Sequence, residues 1–215
     1  MKQITHKIFL DKLLSFSNAI NLYFFDKKLR ALLFTAIQSF EIALRSKLIH
    51  HFSMTYGAFW LLDRNLFTDK KVFTDCFIRI QQEVFRSKEE FIQEHLDKYS
   101  NPIIPPVWKT LEVVSFGTLS RIFCNLSDTK IKKIIAREFN LPQHKILESW
   151  CKSTVALRNN LAHHSRTWNR VYPIKPQLPK SLIKSIVKSN SQFSVLFFDL
   201  STFDAVNVSF LKSSL

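Results

Sequence analysis

Apolar side chains at Leu33, Ile37, Phe40, Leu44 and Leu48 recur at steps of four, three, four and four. With 3.6 residues per turn, that spacing collects them on one stripe, which predicts an amphipathic helix over residues 27–52. Asp26 stands immediately before it as a candidate N-cap, since a short carboxylate can accept from first-turn N–H groups. Residues 1–25 carry a looser helical spacing through Ile8, Leu13, Leu14, Phe16, Ile20 and Phe24, which predicts a separate packing helix.

Gly57 interrupts the pattern, and the aromatic patch AFWLLD follows at 58–63. One helix is expected over 69–99, capped by Asp69, with Phe73, Phe77, Ile80, Val84, Phe91 and Ile92 facing a core. Three prolines in SNPIIPP (100–106) force a loop, because proline lacks the amide donor and clashes with the preceding turn. Residues 107–126 read as two short helices hinged near 115–117. A basic helix over 128–139 is expected to turn Ile131, Ile134, Ile135 and Phe139 inward and Lys130, Lys132, Lys133 and Arg137 outward. Leu141-Pro142 opens the last strong helix, whose stripe is Trp150, Thr154, Leu157 and Leu161. YPIKPQLP (172–179) cannot be helical; a basic helix is expected over 180–189, and 191–215 shows no clear period. The expected fold is all-α, a helical bundle formed by a single domain over 1–190 with an irregular C-terminal tail over 191–215.

Composition agrees with that class. Only 2 Gly stand against 21 Phe in 215 residues, too few for the turns of a sandwich or barrel. Charge adds a direction: the net formal charge is +14, and the stretch 121–188, with 14 basic and 3 acidic residues, holds +11 of it. Such a surface attracts a polyanion. The cysteines, Cys76, Cys124 and Cys151, form no C-x-x-C pair, so a disulfide framework or structural zinc site is not expected. The N-terminal segment is broken by Asp11 and Lys12, and no run of about 18 apolar residues exists, so a cytoplasmic chain without membrane attachment is expected.

Within the basic stretch lies ALRNNLAHHSRTWN (156–169), with two arginines, Arg158 and Arg166, and the pair His163 and His164. Arginine grips phosphate through a rigid fork of donors, and imidazole exchanges a proton near neutral pH. Together they suit attack of an RNA 2′-hydroxyl on its own phosphodiester without a metal. The spacing R-x4-H is weak on its own: 10 arginines and 7 histidines in 215 positions give about 0.33 chance instances. Arg45 to His51, RSKLIHH, repeats the same spacing; the second copy differs in adding Asn159 and Asn160 and in its basic surroundings. On a straight helix with Trp150 at 0°, the core direction lies near 10°, with Arg158 at about 80°, Asn159 at about 180°, His163 at about 220° and His164 at about 320°. Asn159 and His163 therefore point outward together and His164 toward the core edge. Arg158 and His163 are about 140° apart, which favours a site completed across a two-fold interface. The plain alternatives are a surface histidine and a core-edge histidine. No Gly-rich phosphate loop, G-x-S-x-G elbow or metal-spaced carboxylate cluster is present, so neither cofactor nor metal is expected.

Three blocks, at 22–48, 105–123 and 156–170, resemble in the same order the Abi-like family of bacterial abortive-infection proteins. That family is similar to the HEPN superfamily of all-helical, metal-independent ribonucleases, whose hallmark is R-x4-6-H. The resemblance implies a HEPN-like bundle and a toxin-like endoribonuclease of phage defence, with RNA as substrate, a homodimer with a composite active site, and an RNA or protein antitoxin as partner. Carried over, Arg158, Asn159 and His163 are the catalytic set. Glu41 and Arg45 match a polar pair on the family's earlier helix, and with His164, Asn160 and Arg166 they are expected to support the site or bind substrate. The block before residue 22 is shorter than the family's usual one, and the chain after about 188 departs from it. The alternative reading is a catalytically silent RNA-binding or dimerisation module.

Overall fold

The structure is a computed structural model that describes residues 2–179, with side chains from residue 16 onward; the expected 180–189 helix and the 191–215 tail lie outside the described residues. Seven helices run in order: α1 (Lys2–Tyr56), α2 (Lys70–Arg86), α3 (Glu90–Lys98), α4 (Val107–Val113), α5 (Phe116–Asn125), α6 (Thr129–Glu138) and α7 (His144–Ala162). Two 3-10 turns, Trp60–Leu62 and Arg64–Leu66, link α1 to α2. No strand forms among the described residues apart from one isolated bridge between Phe67 and Leu126. The all-α bundle expected from the pattern is the fold.

Helix α1 is the spine, packing against α4, α6 and α7. Its buried stripe extends the predicted one at both ends: Leu29, Leu33, Ile37, Phe40, Leu44, Leu48 and Phe52. The expected break at Asp26 is absent, because residues 2–56 contain neither Gly nor Pro and nothing there forces the backbone out of helix. The helix ends where Gly57 takes a φ of 83° and its N–H bonds the Ser53 carbonyl, the left-handed stop that glycine adopts without penalty.

The remaining helices sort mostly as the stripes dictate. Asp69, Ser115 and Asp128 cap α2, α5 and α6, each side chain accepting from first-turn N–H groups. The predicted helix over 69–99 is instead two, α2 and α3. After Val84 the next inward positions are Ser87 and Lys88, which have no apolar surface to bury, and the backbone is extended at Ser87 and Glu89. On α6, two assignments reverse. Ile134 is 43% exposed, whereas Lys132 is 3% exposed, with its ammonium 2.6 Å from Glu148 and donating to the Cys124 and Leu126 carbonyls. The α6 face is centred between Ile131, Ile135, Ala136 and Phe139, which leaves position 132 inside and 134 outside. A buried lysine is tolerable only because a carboxylate and two carbonyls replace its water.

Helix α7 begins two residues after Pro142 rather than on it, and carries the expected stripe with Trp150, Thr154 and Leu161 buried. The non-helical segment after it crosses back over α7: the Trp150 indole donates to the Gln177 carbonyl at 2.7 Å, and the Gln177 N–H bonds Ser149 Oγ at 2.8 Å. The apolar interior has two parts. The larger lies among α1 to α7 around Phe40, Leu111, Phe123 and Trp150; the smaller joins Leu29, Leu33, Ile37 and Leu161, with Leu157, Phe25 and Trp168 against it. This smaller cluster seats the end of α7 on α1. Burying Leu161 contributes on the order of 1.5–3 kcal/mol to that seating.

Candidate active site at the end of helix α7

Helix α7 ends within the R-N-N-L-A-H-H run itself. His163 is the last residue with near-helical backbone, its N–H reaching the Asn159 carbonyl, and His164 turns into the left-handed region with a φ of 53°. The His164 N–H then bonds the Leu161 carbonyl at 3.0 Å, and the Ser165 N–H the Asn160 carbonyl at 3.2 Å. These paired bonds satisfy the last carbonyls of the helix in an arrangement that normally has glycine at the turning residue. Because the helix stops here, the straight-wheel placement of His164 at the core edge is wrong: its side chain is exposed.

Histidine in this conformation costs about 1–2 kcal/mol in crowding of its Cβ, partly offset by the freedom a glycine gains when unfolded, about 0.4–1 kcal/mol. His164→Gly is therefore expected to raise stability by about 0.5–1 kcal/mol in denaturant titrations and, for a side chain that only binds substrate, to raise the KM for RNA a few-fold while leaving cleavage at saturating RNA unchanged. Loss of cleavage in a stable His164→Gly protein would make His164 a chemical participant instead.

What holds the loop is Asp26. It lies three residues before Leu29, in phase with the buried stripe of α1, and is 6% exposed. Its Oδ1 accepts the backbone N–H of Thr167 at 2.9 Å and of Trp168 at 2.6 Å, while Oδ2 pairs with Arg30. Arg30 also donates to the His164 carbonyl at 3.4 Å. Trp168 packs edge-on against Phe25, with ring centroids 5.3 Å apart. On the other side, the Asn160 amide donates to the Tyr172 hydroxyl at 3.1 Å and to the Arg166 carbonyl at 3.5 Å. Burial pushes the Tyr172 hydroxyl above its ordinary pKa, so it stays protonated as Asn160's partner.

The expected catalytic set sits on this anchored frame. Asn159 and His163 are exposed, as the helical count places them, and Arg158 is half-buried. Arg166 and His164 are exposed in the loop that follows. Among the described residues, the side chains of Arg158, Asn159 and His163 make no hydrogen bond or ion pair, in contrast to their neighbour Asn160. Glu41 and Arg45 bond to each other rather than to them. Arg45 Nη2 donates to Glu41 at 2.8 Å and to the Val114 carbonyl at 3.1 Å, which fastens α1 to the junction of α4 and α5. No hydrogen bond or ion pair links that pair to the Arg158–His163 end of α7. Asp26 was legible only as a cap; its place in the phase of the α1 stripe was the signal that it faces inward.

The sequence profile of the Abi-like protein family matches residues 1–169. The chain belongs to the Abi-like protein family. The matched segment of this Abi-like chain takes in all of α1, so the part before residue 22 falls within the family, and it ends at Asn169, one residue beyond the Trp168 that Asp26 holds. Membership points to abortive infection, and hence phage defence, as the setting of the Abi-like chain. Neither the curated proteins nor the solved structures contain a significant match to it. Among the described residues, no group of three His, Cys, Asp or Glu is arranged to hold a metal ion, and no helix is long and apolar enough to cross a membrane.

Proposed function

We propose that this protein is a HEPN-type, metal-independent endoribonuclease of a phage-defence system, with Arg158, Asn159 and His163 as its catalytic residues. The observation that carries this reading is a contrast. The backbone after α7 is tied down by Asp26, Arg30 and Asn160, yet Arg158, Asn159 and His163 spend no donor or acceptor on the described protein. Side chains held ready on a fixed backbone avoid the cost of reorganising when charge develops in a transition state.

In the reaction, His163 removes the 2′-hydroxyl proton as the 2′-oxygen bonds to phosphorus. The bond from phosphorus to the 5′-oxygen breaks, and a second acid delivers a proton to that oxygen. Arg158 and Asn159 stabilise the charge on the phosphoryl oxygens. The second acid in this reading is His163 of a second copy, because Arg158 and His163 are about 140° apart around one helix. The exposed apolar side chains Phe16, Ile20, Leu22, Tyr23 and Phe24, leading directly to Phe25 against Trp168, offer a surface on which two copies can meet beside their loops. An RNA or protein antitoxin restrains the activity in this scheme, and Arg166 and His164 bind substrate beside the reacting group.

Purified protein is expected to cut single-stranded RNA in EDTA and to leave 2′,3′-cyclic phosphate and 5′-hydroxyl ends. RNA binding with no cleavage under those conditions, in a folded dimeric protein, would select the catalytically silent module instead.

A further inference from the structure

Asn159 and His163 share their side of α7 with two lysines. Lys145, Lys152, Asn159 and His163 are all exposed and follow at steps of seven, seven and four. At 100° per residue these positions fall within about 40° of one another, so they form a single file along the outer face of the helix. At 1.5 Å per residue the file is about 27 Å long and ends at the histidine.

Midway, Lys152 lines a pocket of about 290 Å³ together with Ser120, Arg121, Cys124 and Asn125. No carboxylate lines this pocket. The acidic partner of Arg121 is Asp75, at 3.6 Å and with both side chains more than a third exposed, a pairing too long and too solvated to occupy the guanidinium. Burial pushes the Cys124 thiol up to about 11, so it stays neutral and brings no negative charge. Glu148, the acid on α7 between Lys145 and Lys152, is neutralised by the buried ammonium of Lys132 at 2.6 Å. The lysine file therefore keeps its positive potential along its whole length.

We propose that Lys145 and Lys152, with Arg121 across the pocket, form a track that holds the phosphodiester backbone of single-stranded RNA and leads it to Asn159 and His163. The track rests on the ribonuclease reading for what happens at its end, but not for binding. A file one side chain wide suits a single backbone, whose phosphates are met by separate point charges. An anionic membrane fits less well: a helix that lies on lipid needs large apolar side chains beside its lysines, and none of the exposed large apolar residues is on α7.

The test uses the full chain and a fluorescent 2′-O-methyl oligouridylate dodecamer, which lacks the attacking hydroxyl and so reports binding alone. The triple variant Arg121→Ala/Lys145→Ala/Lys152→Ala is expected to weaken binding about tenfold or more. It should also flatten the dependence of log K on log salt by about 2, three phosphate contacts at about 0.7 each. Arg86→Ala/Lys88→Ala/Lys98→Ala removes the same charge from the α2–α3 region and is expected to change affinity less than about twofold. Equal losses in the two triples, or none in the first, would overturn the track. Capture by phosphatidylserine vesicles without binding of the oligonucleotide would overturn RNA as its occupant. Cleavage is followed separately on the ribose dodecamer in EDTA. A track effect without cleavage removes only the ribonuclease reading, and cleavage without a track effect removes only the track.

Discussion

His163→Ala is expected to slow RNA cleavage by about 10²- to 10⁴-fold, the range for losing a positioned general base or acid, while leaving thermal stability unchanged. The second half of that expectation comes from the geometry. The His163 side chain is exposed and bonds nothing among the described residues, and the N–H that finishes α7 belongs to the backbone, which alanine keeps. Exposed substitutions of this kind shift stability by about 0.5 kcal/mol or less. Arg158→Ala is expected to cost about 10²- to 10³-fold, comparable to removing one donor from an oxyanion site. Arg158→Lys should recover little of it, since a point charge cannot reproduce the planar fork. Because both residues act on one transition state, the double variant should fall little below the worse single one. Mixing His163→Ala with wild-type protein adds a test of the shared site. A mixed dimer lacks one of the two histidines of its cleft, so activity should fall with the square of the wild-type fraction; it should fall in simple proportion if each copy works alone. Single-turnover cleavage with melting curves on the same samples reads all of these.

Asp26→Ala is expected to lower cleavage by about 10²-fold, the effect of displacing catalytic groups by about 1 Å, although Asp26 touches no substrate in this scheme. The carboxylate accepts two backbone N–H groups of the motif loop and pairs with Arg30. Hydrogen bonds to a charged group contribute about 1.5–3 kcal/mol each, so the two together hold the loop by about 3–6 kcal/mol. Global stability should fall by less than that sum, because the loop can open locally once its anchor is gone and let water reach the freed N–H groups. The signature is therefore faster amide exchange at Thr167 and Trp168 together with lost cleavage and a modest fall in melting temperature. Asp26→Asn keeps an acceptor oxygen but not the charge, and should lie between. A rigid loop with full activity in Asp26→Ala would show that Trp168 against Phe25 suffices to hold it.

The candidate site divides along the same line as the fold. The R-N-N-L-A-H-H run, its basic surroundings and the outward direction of Asn159 and His163 follow from residue identity and helical periodicity, both of which act over a turn or two. The end of the helix inside that run was not legible, because neither Gly nor Pro marks it; histidine takes the turning position that glycine normally fills. Glu41 and Arg45 were legible as neighbours on one turn, yet the carbonyl that Arg45 reaches is at Val114, 69 residues away.

By itself the sequence determined the helical class, most helix positions, the loop at the proline cluster and the apolar stripe of α1. Each of these depends on spacing along the chain or on the conformational limits of single residues. Only the tertiary structure decided that α1 passes through Asp26 without a break, that Lys132 is inside and Ile134 outside, and that the helix expected over 69–99 is two. It also decided that the aspartate read as a cap is the anchor of the motif loop. The physical reason is that a buried charge is stabilised by the atoms that replace its water. For Asp26 these are N–H groups 141 and 142 residues away, for Lys132 a glutamate on the next helix, and local periodicity carries no record of either.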